Sequence, residues 1–174
     1  MLSAALRSRL RRSIQVAAIA IVIAGPAAAV VVPLSAAMNG AQANAGGGTG
    51  SPGTGSATIT FDTGTNMLTW SVTWSGLLGT PTLMHFHGPA LPNQNAGAQV
   101  GIGVAGPPVV GNAALSAGQA ADLLAGLWYL NLHTTAFAGG EIRGQVLSVP
   151  EPTTLALVGG GLFLLAVRRR RQHL

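Results

Sequence analysis

No cysteine occurs among the 174 residues of the chain. Disulfides are therefore excluded, and with them cysteine nucleophiles, thiolate metal sites and acylation at a lipobox cysteine. A domain without cross-links must be held by its core alone. Charge is nearly as scarce. Between residues 30 and 149 the only charged side chains are Asp62, Asp122, Glu141 and Arg143, one positive and three negative, for a net −2. Nucleic-acid binding needs a basic face that displaces counterions from phosphates, so the formal +5 of the whole chain does not signal it. The three carboxylates fall in different segments, which excludes the paired acids of glycoside hydrolysis. Ser71, Ser75 and Ser116 stand in no nucleophile elbow, and Gly101 and Gly103 form a strand glycine pair rather than a phosphate cradle. No enzyme activity is expected.

The positive charge sits at the two ends. Arg7, Arg9, Arg11 and Arg12 precede an apolar run of 11 residues, 14–24. Gly25 and Pro26 break that run, and Ala27-Ala28-Ala29 supplies an A-x-A cleavage site. Residues 1–29 thus have the order of a cleavable secretory signal helix, cut after Ala29. At the other end Pro150-Glu151-Pro152 precedes an apolar stretch, 153–167, and then Arg168, Arg169, Arg170 and Arg171. As a helix those 15 residues would span ~22 Å at ~1.5 Å each, short of the ~30 Å hydrocarbon core. Arginine snorkelling and local thinning close part of that gap. The arginine block is expected to stay cytoplasmic. Residues 150–174 resemble the PEP-CTERM sorting signal of Gram-negative bacteria. The resemblance implies a membrane-anchored precursor, processing near Pro150-Glu151-Pro152 by an exosortase, and delivery to the cell surface or beyond it.

Between the ends the hydrophobic pattern has period two. Residues 46–55 are rich in glycine, serine and threonine and read as a flexible linker. Ala57, Ile59 and Phe61 then alternate with Thr58, Thr60 and Asp62, and Leu68, Trp70, Val72 and Trp74 with Thr69, Ser71 and Thr73. Turn residues at 62–66 join the two runs into a hairpin with one apolar face. Short strands are expected at 83–87, around Val100, Ile102 and Val104, at 128–134 and at 142–147. Ser116 and Gln119 form a capping box at the start of one short helix that stops at Gly126. The fold class is all-β: an antiparallel, Greek-key-like sandwich or barrel with one short helix, over residues 30–149.

Three motifs carry a second resemblance. His85-Phe86-His87-Gly88-Pro89-Ala90 comes first, and Tyr129-Leu130-Asn131-Leu132-His133-Thr134 follows. Gly139-Gly140-Glu141-Ile142-Arg143-Gly144-Gln145 closes the series. Their order and spacing resemble the chordin-type CHRD domain, over roughly residues 33–147. Asn39-Gly40-Ala41-Gln42 takes the place of the stretch that follows the family's first strand. A cut after Ala43 would remove that strand, which favours Ala29 as the cleavage site. The chain departs from the family pattern at Ala43, Asn44 and Ala138, where an acidic residue and prolines are usual.

Alternation places His85 and His87 on one side of their strand, Tyr129, Asn131 and His133 on one side of theirs, and Glu141, Arg143 and Gln145 on one side of the last. If those strands are neighbours, the three stripes form one polar patch. Two kinds of chemistry fit it. One is a structural hydrogen-bond network, with Glu141 paired to Arg143 and the histidines bound to backbone. The other is a zinc or copper site on His85, His87 and His133, whose neutral nitrogens suit either metal. The expected role is a structural or adhesive component of the cell surface or exopolysaccharide matrix, with exosortase and exopolysaccharide as partners. The alternative is a metal-binding or redox module centred on the three histidines.

Overall fold

The computed structural model describes residues 29–150. The secretory signal helix and the C-terminal membrane helix expected from the sequence lie outside them. No helix among the described residues is long and apolar enough to cross a membrane.

Nine strands form one antiparallel sheet that curls into a nearly closed barrel. They are β1 (Val31–Asn39), β2 (Thr54–Asp62), β3 (Met67–Ser75), β4 (Pro81–His87), β5 (Ala98–Ile102), β6 (Val109–Ala114), β7 (Tyr129–Thr134), β8 (Ile142–Gln145) and β9 (Leu147–Ser148). The sheet order is β5-β4-β7-β8-β1-β2-β3-β6, with β9 also on β1. The two ends of this path, β5 and β6, approach each other. The chain leaves β3, crosses to the β4–β5 pair and returns in β6 beside β3, a Greek-key-like circuit. A single curved sheet replaces the two facing sheets of a sandwich.

Period-two alternation explains which residues face inward. Leu34, Ala36 and Met38 of β1 meet Ala57, Ile59 and Phe61 of β2 and Leu68, Trp70 and Val72 of β3. From the other half come Met84, Phe86, Leu130, Leu132 and Ile142, with Trp128 fully buried and the Phe86 ring against both Trp70 and Trp128. The expected turn at 62–66 is held by Asp62, whose Oδ1 accepts from the backbone N–H of Gly64 at 2.8 Å and of Thr65 at 3.3 Å. The helix α1 (Ala117–Leu124) has both bonds of its capping box, between Ser116 and Gln119. It packs Ala120 and Leu123 onto the barrel core.

Two expectations need correction. Residues 46–55 are not a free linker: Thr54 and Gly55 already belong to β2, and Thr49 and Ser51 are bonded to Glu141. A buried carboxylate that collects donors gives this glycine-rich stretch a fixed course. The strand β6 was not foreseen, because Val109 to Ala114 pairs with β3 while only half-burying alternate, mostly small side chains.

Candidate metal centre

The strands β4, β7 and β8 are consecutive in the sheet, with His85 opposite Asn131 and Asn131 opposite Arg143. His85, His87, Tyr129, Asn131, His133, Arg143 and Gln145 are therefore neighbours on the outer side of the barrel, whereas the Glu141 carboxylate turns away from them to Thr134, on the inward side of β7. This patch is not a solvent-washed face. Tyr129, Asn131, Glu141, Arg143 and Gln145 are all buried, because loop residues 40–53 and 88–97 are fastened over them.

The side chains of β8 and the residue before it do the fastening. The Glu141 carboxylate accepts from Ser51 Oγ at 2.6 Å, Leu78 N–H at 2.6 Å, Thr134 Oγ1 at 2.7 Å and Gly79 N–H at 3.1 Å. Burial pushes this carboxyl up, but those four bonds outweigh it and hold the group below the ordinary carboxylate range. Arg143 donates to Asn95 Oδ1 at 3.2 Å and to the Leu91 carbonyl at 3.3 Å, and its Cζ stands 3.4 Å from the centre of the Tyr129 ring. Gln145 Nε2 donates to the carbonyls of Ala90 at 3.0 Å and Gly126 at 2.8 Å. Glu141 and Arg143 take separate partners, which corrects the pairing anticipated for a structural network. Glycine is required between Arg143 and Gln145, since a Cβ on Gly144 would lie 2.5 Å from the Ala37 carbonyl oxygen of β1.

The histidines converge above this layer. His85, His87 and His133 each offer a nitrogen, and these nitrogens lie within 4.8 Å of one another. His87 Nδ1 is 3.0 Å from the Ala96 carbonyl and His133 Nδ1 is 2.8 Å from the Ala138 carbonyl. A carbonyl only accepts, so both rings must carry a proton on Nδ1 and present Nε2 as a lone pair when neutral. His87 Nε2 is buried and has no hydrogen-bond partner, and the same is true of His85 Nδ1. Burial lowers the pKa of His85, with the charge of His133 adding to it. For His87 burial is again the largest cause, opposed by the Ala96 carbonyl and assisted by His85, His133 and Arg143. Both rings are thereby biased to the neutral form that ligates metals.

A tetrahedral ion at ~2.0–2.1 Å from each nitrogen would need them about 3.3 Å apart, closer than the 4.8 Å within which they lie here. Asn131 occupies the His133 lone pair, with Nδ2 3.2 Å from Nε2, and also donates to the Gly139 carbonyl at 3.1 Å. An ion held by His133 Nε2 would have to take the place of the first bond, and the second could remain. Gly140 makes room for this amide: its φ is +117°, and a Cβ there would lie 2.2 Å from Asn131 Oδ1. Beside the histidines a cavity of about 570 Å³ opens, bordered by His87, His133, Tyr129, Asn131 and Asn95.

A family model described as the CHRD domain matches residues 34–146, almost the whole barrel. The chain belongs to the CHRD family. In this CHRD domain the three sequence motifs are one structure: the first and second supply the histidines, and the third locks the covering loops. A second model, the PEP-CTERM protein-sorting motif, matches residues 148–171. This CHRD protein is therefore exported, held at the membrane and sorted to the cell surface, with processing by exosortase. No match was found among curated proteins or among solved structures. Sequence reasoning missed the loop contributors to the CHRD site, namely Ser51, Leu91, Asn95 and the carbonyls of Ala96 and Ala138. Backbone carbonyls have no sequence signature, and Ser51 lies 90 positions from its partner.

Proposed function

We propose that this CHRD domain is a metal-binding module at the cell surface, holding zinc or copper on His85, His87 and His133. One observation carries the reading: His87 presents a buried Nε2 with no partner while its Nδ1 is committed to the Ala96 carbonyl. A ring oriented by a carbonyl through one nitrogen and left open at the other has the arrangement of a metal ligand. A buried lone pair without a partner is otherwise a cost to the fold. His133 is likewise tied through Nδ1 to the Ala138 carbonyl, and its Nε2 would have to exchange the Asn131 amide for the ion. The test is a titration of Zn²⁺ and Cu²⁺ into the full-length chain in detergent, followed by thermal unfolding. At about a hundredfold excess over Kd, binding should add ~2.7 kcal/mol of stability. The reading fails if neither metal shifts the melting temperature, or if the His133→Ala variant shifts equally.

A structural or adhesive role in the surface layer or exopolysaccharide has its own support. The outer side of the β2–β3 hairpin bears Thr54, Ser56, Thr58 and Thr60 opposite Ser75, Thr73, Ser71 and Thr69. This uncharged ladder of hydroxyls suits the hydroxyls of a glycan chain. A glycan-binding screen checks it: retention that survives Thr58→Val and Ser71→Ala would remove this face from the role.

A further inference from the structure

The charge around the histidines does not balance once an ion is present. Imidazole is a neutral ligand, and no carboxylate among the described residues borders the adjoining cavity. Of the three carboxylates within residues 30–149, Asp62 caps the β2–β3 turn and Asp122 lies on α1. The third, Glu141, is saturated by Ser51, Leu78, Gly79 and Thr134. Meanwhile Arg143 stands behind the cavity wall, stacked on Tyr129 and, among the described residues, bonded to the neutral Asn95 and Leu91 oxygens. A divalent ion would thus add two positive charges beside a buried guanidinium. Uncompensated charge in a partly desolvated site is costly. Three protein ligands also leave a fourth position on a tetrahedral ion, and two of the three rings border the cavity.

Resting on the metal reading above, we infer that the cavity beside His87 and His133 takes a carboxylate that completes the ion's coordination. The carboxylate oxygen binds the metal in exchange for water, and no bond within the ligand breaks. The rest of the ligand lies against Tyr129 and the amides of Asn95 and Asn131, inside a volume of about 570 Å³ that holds a group of monosaccharide size. A free small acid and the uronic acid of a polysaccharide share this chemistry.

Calorimetry on the full-length chain in detergent, in a carboxylate-free buffer, separates the two levels. Zinc is titrated first; absence of zinc binding overturns the metal reading and this inference with it. Acetate, glucuronate and glucose are then titrated into the zinc-loaded and the zinc-free protein. Acetate and glucuronate should bind the zinc-loaded form at least about tenfold more tightly, with the reciprocal gain in zinc affinity that linkage requires. Glucose should give no such gain. Glucuronate binding tighter than acetate assigns a saccharide source, and equal binding assigns a free acid. The Asn95→Asp variant is nearly isosteric, and it places a carboxylate on the cavity wall beside Arg143. Its acidic side chain should lower the affinity of the zinc-loaded form for added carboxylate about tenfold. Zinc binding with no metal-dependent gain for either acid overturns the inference and leaves the metal reading intact. A gain for glucose equal to that for glucuronate also overturns it.

Discussion

Glu141 is the most constrained side chain of the site, although it ligates nothing. Its four donors come from the 40–53 loop, the segment after β3 and the end of β7, so one carboxylate ties three separate parts of the chain. Glu141→Gln keeps the shape, but turns one acceptor into a donor that faces a backbone N–H. Charged hydrogen bonds lost in a buried place put the cost at about 3 kcal/mol. The pH dependence follows from the direction of its shift. The folded-state pKa is depressed, so the stability it supplies is present above the ordinary carboxylate range and is lost as pH falls through the folded value. Urea unfolding between neutral and acid pH should show this acid limb in the native chain and a flatter one in Glu141→Gln. Equal limbs would mean that other groups set the acid sensitivity. At this scale alternation made most of the patch legible, since it put His85 and His87 on one side of β4, and Tyr129, Asn131 and His133 on one side of β7; Glu141 was expected beside Arg143 and instead faces Thr134. The partners were not legible, because Ser51, Asn95 and the Ala96 carbonyl meet the patch through loops with no periodicity.

Among the elements, legibility followed the strength of the local pattern. The β2–β3 hairpin was readable because Ile59, Phe61, Leu68, Trp70 and Val72 are large and strictly alternate. The helix α1 was readable from its cap. Ser116 Oγ accepts from Gln119 N–H at 3.3 Å, and Gln119 Oε1 accepts from Ser116 N–H at 3.0 Å. Both bonds are exposed, so the helix owes this end to the box and its inner side to Ala120 and Leu123. Ser116→Ala should therefore destabilise the domain by about 1 kcal/mol without touching the histidine site, as read by thermal unfolding with and without zinc. A loss of several kcal/mol would show that Ser116 does more than cap. By contrast β6 lacks bulky alternation, and residues 46–55 have the composition of a linker. Their course is imposed from a distance, by pairing with β3 in one case and by Glu141 in the other.

Across the whole molecule, charge and fold are segregated. Eight of the nine arginines lie outside residues 30–149, on the segments that address the protein rather than on the barrel. Among the described residues the buried core extends from Leu34 to Val146, and the last ladder pairing is that of Ser148 with Leu34. The sorting motif begins where the barrel finishes. Residues 151–174 should accordingly contribute to destination and not to stability. A chain truncated after Pro150 is expected to unfold within about 0.5 kcal/mol of the full-length protein, the range of changes remote from a core. It should leave the membrane fraction for the soluble periplasm, with an N-terminus at Val30. Each of three measurements bears on one part of this expectation. Unfolding of the truncated chain would make the tail part of the core. Retention in the membrane fraction would place the anchor elsewhere. An N-terminus at Asn44 would remove β1, whose Leu34, Ala36 and Met38 are buried and whose backbone pairs with β2, β8 and β9. The barrel would then lose the strand that joins its two halves.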